Sequence, residues 1–126
     1  MLNLDSVKIQ FSLNLSTFKP EKFNKTIKEI EDVETISFQV KPKYLKTGIK
    51  NITVNENNGI LEFSSKLIPG LYQEMININT IERYLDEINN LDLIKFNTNE
   101  IINFGNVRTC DVTNNIKVKN VATYIN

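Results

Sequence analysis

The chain has 126 residues, 40% of them apolar and 24% charged, proportions that support a packed core and exclude a wholly disordered chain. Fifteen basic side chains balance fifteen acidic ones, so no overall field draws the protein to DNA or to an anionic membrane. Histidine is absent, which excludes histidine-ligated metals, a histidine general base and the serine triad.

The first element is the clearest. Val7, Ile9, Phe11, Leu13 and Leu15 alternate with polar residues, the period of a strand with one buried face, and its length predicts a central strand. A helix is expected next. Pro20 suits a first turn, Thr17 or Lys19 would cap it, and Phe23, Ile27 and Ile30 recur at helical spacing. Ile36, Phe38 and Val40 alternate as a second strand, which Pro42 interrupts. After a loop through Gly48, Ile52 and Val54 form one arm of a hairpin and Leu61 and Phe63 the other. Asn58-Gly59 is read as the turn, because both residues tolerate positive φ.

Pro69-Gly70 marks another turn. Asn79 and Glu82 form a capping box for a second helix, buried along Ile81, Leu85 and Ile88 and ending at Asn89-Asn90. Leu93 to Phe96 reads as a short strand or link, and Glu100 to Phe104 as a helical turn. Val107 to Val112 reads as a further strand with Ile116 to Val118 as its continuation or partner. This order predicts an α+β fold: a single mostly antiparallel sheet with two helices packed on one face, in one domain spanning residues 1–126. A lone cysteine, Cys110, permits no internal disulfide and fits a reducing compartment. No apolar run is long enough to span a membrane and the N-terminus lacks a signal-peptide pattern, so a cytoplasmic location is expected.

Lys41, Lys43, Lys46 and Lys50 lie in one loop with Tyr44. Four cations and a ring could hold a phosphate backbone and stack one base; the plainer reading is a solvated loop. Asp111 would stand beside Val107 on a buried face, as a ligand for Mg²⁺ or Mn²⁺, or as a carboxylate capping a turn or pairing with a lysine. One aspartate does not make a metal site, which favours the second reading. Cys110 reads as a small core residue rather than a reactive thiol. Tyr84 reads as core rather than as a nucleophile, and Glu82, Asp86 and Glu87 as a solvated helix face.

The stretch Gly59-Ile60-Leu61-Glu62-Phe63-Ser64-Ser65-Lys66, then Tyr72, Asn77 and the helix from Thr80, ends in Val107-Arg108-Thr109-Cys110-Asp111-Val112-Thr113-Asn114. Over about half of the chain this layout resembles the first half of rolling-circle replication initiators of phages and plasmids. The resemblance implies single-strand nicking at an origin by a tyrosine, with a divalent metal. Arg108 and Asp111 carry over from the signature. The chain departs from the family in having no histidine pair and no Tyr-x-x-Lys motif, and the nicking centre would lie beyond its last residue. The resemblance therefore implies the N-terminal domain of an initiator, or a small relative, that binds DNA or scaffolds a nicking domain without catalysis of its own. Two alternatives stand beside it: a small protein-interaction module of a phage or mobile element, docking another protein domain through a sheet edge, and a small carboxylate- and metal-dependent enzyme.

Overall fold

The computed structural model describes residues 3–108 and 119–125. Strand β1 (Ser6–Ser12) buries Val7, Ile9 and Phe11 and turns Lys8 and Gln10 to the other face, as its alternation predicts. It stops at Ser12, and Leu13 to Leu15 make a single 3₁₀ turn. A short strand β2 (Ser16–Phe18) follows. The hairpin of β5 (Ile49–Asn55) and β6 (Asn58–Ser64) supplies Ile52, Val54, Leu61 and Phe63 to the core. β1 lies against β6 with Val7 opposite Phe63, Ile9 opposite Leu61 and Phe11 opposite Gly59.

Two local expectations are corrected. The hairpin turns at Glu56 and Asn57, while Asn58 and Gly59 already belong to β6. Gly59 has no positive φ. A Cβ there would lie 2.3 Å from the ring of Phe11, so glycine is needed for the ring, not for the turn.

The helix expected from Pro20 to Ile30 is a strand. Pro20 to Lys22 form one 3₁₀ turn, and β3 (Phe23–Ile30) then pairs along its whole length with β4 (Val33–Val40). The stripe Phe23, Ile27, Ile30 fits a helix, but pairing splits it: Phe23 and Ile27 share one face of the strand and Ile30 takes the other. The β-branched Thr26, Ile27, Ile30, Val33, Thr35 and Ile36 suit the pleated ribbon. Glu31 and Asp32, both left-handed at φ 53° and 65°, close it. Positive φ at both residues of a two-residue loop is the hairpin geometry that Asn-Gly normally signals. Glu-Asp carries it here without that signal.

Helix α1 (Ile81–Asn90) buries Ile81, Tyr84, Leu85 and Ile88. It begins with Thr80 in the capping position, one residue later than the Asn79–Glu82 box predicts. Asn77 organises the approach: its Oδ1 accepts from the amides of Asn79 (2.8 Å) and Thr80 (3.2 Å). After α1 come β7 (Ile94–Phe96), α2 (Thr98–Phe104), β8 (Asn106–Val107), β9 (Lys119–Asn120) and α3 (Val121–Ile125). The main sheet has seven strands in the order β3-β4-β5-β6-β1-β8-β9, and β2 and β7 form a separate pair; every described pairing is antiparallel. The fold is thus α+β with a mostly antiparallel sheet. Helix α2 extends the helical turn expected at Glu100 to Phe104, and is capped by Asn97 and buried through Ile101. α3 lies in a stretch where the sequence carries no helical signal.

The sheet's apolar face and α1 form the core, with the Phe63 and Tyr84 rings stacked at 6.0 Å between centroids. Phe18 of β2 touches both Phe23 and Phe38, at 5.2 Å each, and so ties the small sheet to the β3–β4 ribbon. Among the described residues no helix is long and apolar enough to cross a membrane. The expected strands from Thr109 to Val118 lie outside the described residues.

Candidate nucleic-acid interface

The lysine loop begins where β4 ends. Lys41 leaves the strand and Pro42 to Tyr44 make a 3₁₀ turn, with the Tyr44 amide donating to the Lys41 carbonyl (3.0 Å) and that of Leu45 to Pro42 (3.1 Å). The loop closes at Gly48, whose φ of 94° and close backbone approach to Leu67 leave no room for a side chain. The Ser64 amide donates to the Gly48 carbonyl (2.7 Å), pinning the loop to the end of β6.

This closure divides the five expected residues. Tyr44 is half-buried, and Lys43 Nζ stands 5.1 Å from its ring centroid. Lys22, far off in sequence, brings its Nζ to 5.6 Å from the same ring. Both distances lie within the range of cation–π attraction. The backbone explains the meeting: the Lys41 amide donates to the Lys22 carbonyl (2.9 Å), so the β3–β4 ladder sets the Pro20–Lys22 turn beside the loop. Lys46 points elsewhere, its Nζ 2.5 Å from Glu87 Oε1 on α1. Lys50 is exposed on β5, and no described contact joins it to Tyr44.

Sequence reasoning missed a second set of cations. The Lys19 amide donates to the Leu93 carbonyl (3.2 Å), which brings Lys19 to Asp92. There the two side chains form an ion pair, Lys22 Nζ donates to the Asp92 carbonyl (3.2 Å), and Lys95 Nζ lies 3.8 Å from Asp92 Oδ1. Asp92 is itself left-handed, at φ 60°. The hydrogen bond from Lys19, helped by the charges of Lys19, Lys22 and Lys95, holds the Asp92 carboxyl below the usual aspartate range; the same bond raises the Lys19 ammonium. Lys22 thus joins two groups, standing with Lys43 at the Tyr44 ring and with Lys19 and Lys95 at Asp92, with Lys41 adjoining through its backbone. A Lys-Pro-x-Lys sequence followed by a strand ladder holds the clue, but only once residues 23–30 are read as a strand.

A comparison with known protein families, characterised proteins and solved structures gives no significant match. The site is therefore read from its own chemistry.

Among the described residues, no three acidic or thiol side chains gather to hold a metal ion. Asp111 and Cys110 lie outside the described residues. Tyr84 is fully buried, and its hydroxyl donates to the Ser65 carbonyl (3.0 Å) and more weakly to that of Leu71 (3.4 Å). Burial pushes its phenol upward, which keeps it a protonated donor. Glu82, Asp86 and Glu87 do not converge: Glu87 meets Lys46, Asp86 accepts from the Thr98 hydroxyl (2.5 Å), and Glu82 faces solvent.

Proposed function

We propose that this chain binds a nucleic-acid backbone through the lysine cluster around Tyr44, with no catalysis of its own. In this reading it serves as the N-terminal domain of a phage or plasmid replication initiator, holding DNA or positioning a nicking domain. The observation that carries the binding is the convergence of Lys22 and Lys43 on one half-buried ring. A phosphate has two ammonium groups to neutralise it, and a base or sugar can lie against the exposed part of the ring. Lys43 has no carboxylate partner among the described residues, so its charge is available to an incoming anion. The initiator role rests on the resemblance of residues 58–118 alone. Anisotropy of a labelled single-stranded oligonucleotide tests the binding: Lys22→Glu with Lys43→Glu weakens it strongly, whereas Lys46→Glu, already engaged with Glu87, changes it little.

A second reading, a protein-interaction module, is favoured by one feature. β3 stands at the edge of the main sheet with Asn24 to Ile30 all exposed.

A further inference from the structure

We propose that β3 pairs with β3 of a second copy of this chain, antiparallel about a two-fold axis through Ile27, to make one continuous sheet. This dimer does not depend on the nucleic-acid reading. β4 pairs with β5 only from Ser37 to Gln39, so the outer part of the β3–β4 ribbon stands clear of the rest of the sheet. It exposes apolar surface at Ile27 (56%), Ile30 (62%) and Val33 (60%), where a monomer gains nothing from it.

The ladder fixes which groups face the open edge. Because Lys41 donates to the Lys22 carbonyl, and the register runs from Phe23 opposite Val40 to Ile30 opposite Val33, the even-numbered residues of β3 turn their amides to β4. Lys25, Ile27 and Glu29 turn theirs outward. These three also share one face of the strand. About an axis at Ile27 they are self-complementary: Ile27 meets Ile27 of the partner subunit, Lys25 meets the partner's Glu29, and Glu29 meets the partner's Lys25.

Other registers are penalised. An axis shifted by two residues sets Lys25 against the partner's Lys25, or Glu29 against the partner's Glu29. An axis shifted by one sets Lys28 against the partner's Lys28, or leaves Glu29 facing the partner's Phe23. Like charges directly opposite destabilise a strand pair and opposite charges support it. Lysines on an edge strand ordinarily keep other strands away; here Glu29 converts that repulsion into a match in a single register.

A second observation calls for the same cation. Glu29 lies directly opposite Glu34 within the hairpin, two carboxylates on one face, with no cation bonded to either among the described residues. In the dimer the partner's Lys25 arrives beside Glu29 and relieves that pair.

Strand pairing alone buries less than a standard protein–protein interface, so a dissociation constant on the order of tens of micromolar is expected. Sedimentation velocity on the full chain, across concentrations bracketing that value, tests the proposal with K25E, E29K and their equimolar mixture. Wild type is expected to dimerise, each variant to stay monomeric, and the mixture to dimerise, because K25E in one copy meets E29K in the other at both pairs. All substituted positions are exposed, and recovery on mixing shows that both variants are folded. A monomeric wild type, a single variant that dimerises as well as wild type, or a mixture that stays monomeric would each overturn the proposal.

Discussion

The ring of Phe11 lies across the backbone of Gly59 on the neighbouring strand, so closely that a single added carbon would sit 2.3 Å from it. Gly59→Ala is expected to displace Phe11 from the core and to cost about 1–3 kcal/mol, the usual range for overpacking. Gly70 is the control: a methyl group added there would have no atom within 4 Å, and its φ is ordinary, so Gly70→Ala should leave stability within about 0.5 kcal/mol. Urea denaturation of the two variants checks the contrast. Equal effects would show that Gly59 is not held open for the ring.

Gly59 also shows where sequence reading succeeds and where it stops. Alternation in Val7, Ile9 and Phe11, and in Leu61 and Phe63, correctly marks strands, because one-sided burial leaves a period of two in the sequence. The stripe of Ile81, Leu85 and Ile88 marks α1 for the equivalent reason. Asn-Gly misplaces the turn because glycine answers two demands, positive φ and a missing side chain, that look identical in sequence. Ile36, Phe38 and Val40 are rightly read as the second strand of the ribbon, but Phe23–Ile30 is misread because only Phe23 of that strand is buried. Its exposed apolar residues fall at helical spacing with no core to enforce a strand period. At the candidate site, Tyr44 and Lys43 are legible from their loop. Lys19, Lys22 and Lys95 are not, since only the ladder and the Lys19–Leu93 hydrogen bond bring them in.

Tyr84→Phe should destabilise the protein by about 1–2 kcal/mol with little change in shape. The Leu71 carbonyl keeps the amides of Glu74 and Met75 as donors, both at 3.0 Å, so the loss falls on the Ser65 carbonyl. Chemical denaturation measures it, and an unchanged midpoint would show that the hydroxyl contributes nothing at that carbonyl.

The Asp92 cluster predicts a pH dependence of definite sign. The folded carboxyl is depressed below its unfolded value, so its contribution is present above the ordinary aspartate range and is lost as pH falls through the folded value. Lys19, raised in the folded state, contributes fully below the unfolded lysine value and loses that contribution as pH rises through its folded one. Asp92→Asn suits the left-handed backbone at this position and removes the charge. Thermal melts from neutral pH downward should show wild type losing more stability than Asp92→Asn in the acid range. Parallel curves would mean that the cluster does not couple to folding.

The same substitution has an opposite effect on binding. Asp92 is the carboxylate at the centre of Lys19, Lys22 and Lys95, and it competes with any phosphate for them. Asp92→Asn should therefore tighten nucleic-acid binding while Lys43→Glu weakens it. Fluorescence anisotropy with one labelled oligonucleotide reads both, and a weakened Asp92→Asn would place the binding surface elsewhere.

The most direct measurement of the central claim is the salt dependence of single-strand binding. Three phosphate contacts, from Lys22, Lys41 and Lys43, give a log–log slope of roughly −2, so raising salt from about 50 to about 200 mM should weaken binding by roughly 15- to 20-fold. With Lys22→Glu and Lys43→Glu together, the remaining contact should leave a loss of only about two- to threefold over the same range. Wild-type protein that shows no binding at low salt, or binds with a slope the double variant does not change, contradicts a nucleic-acid interface at Tyr44.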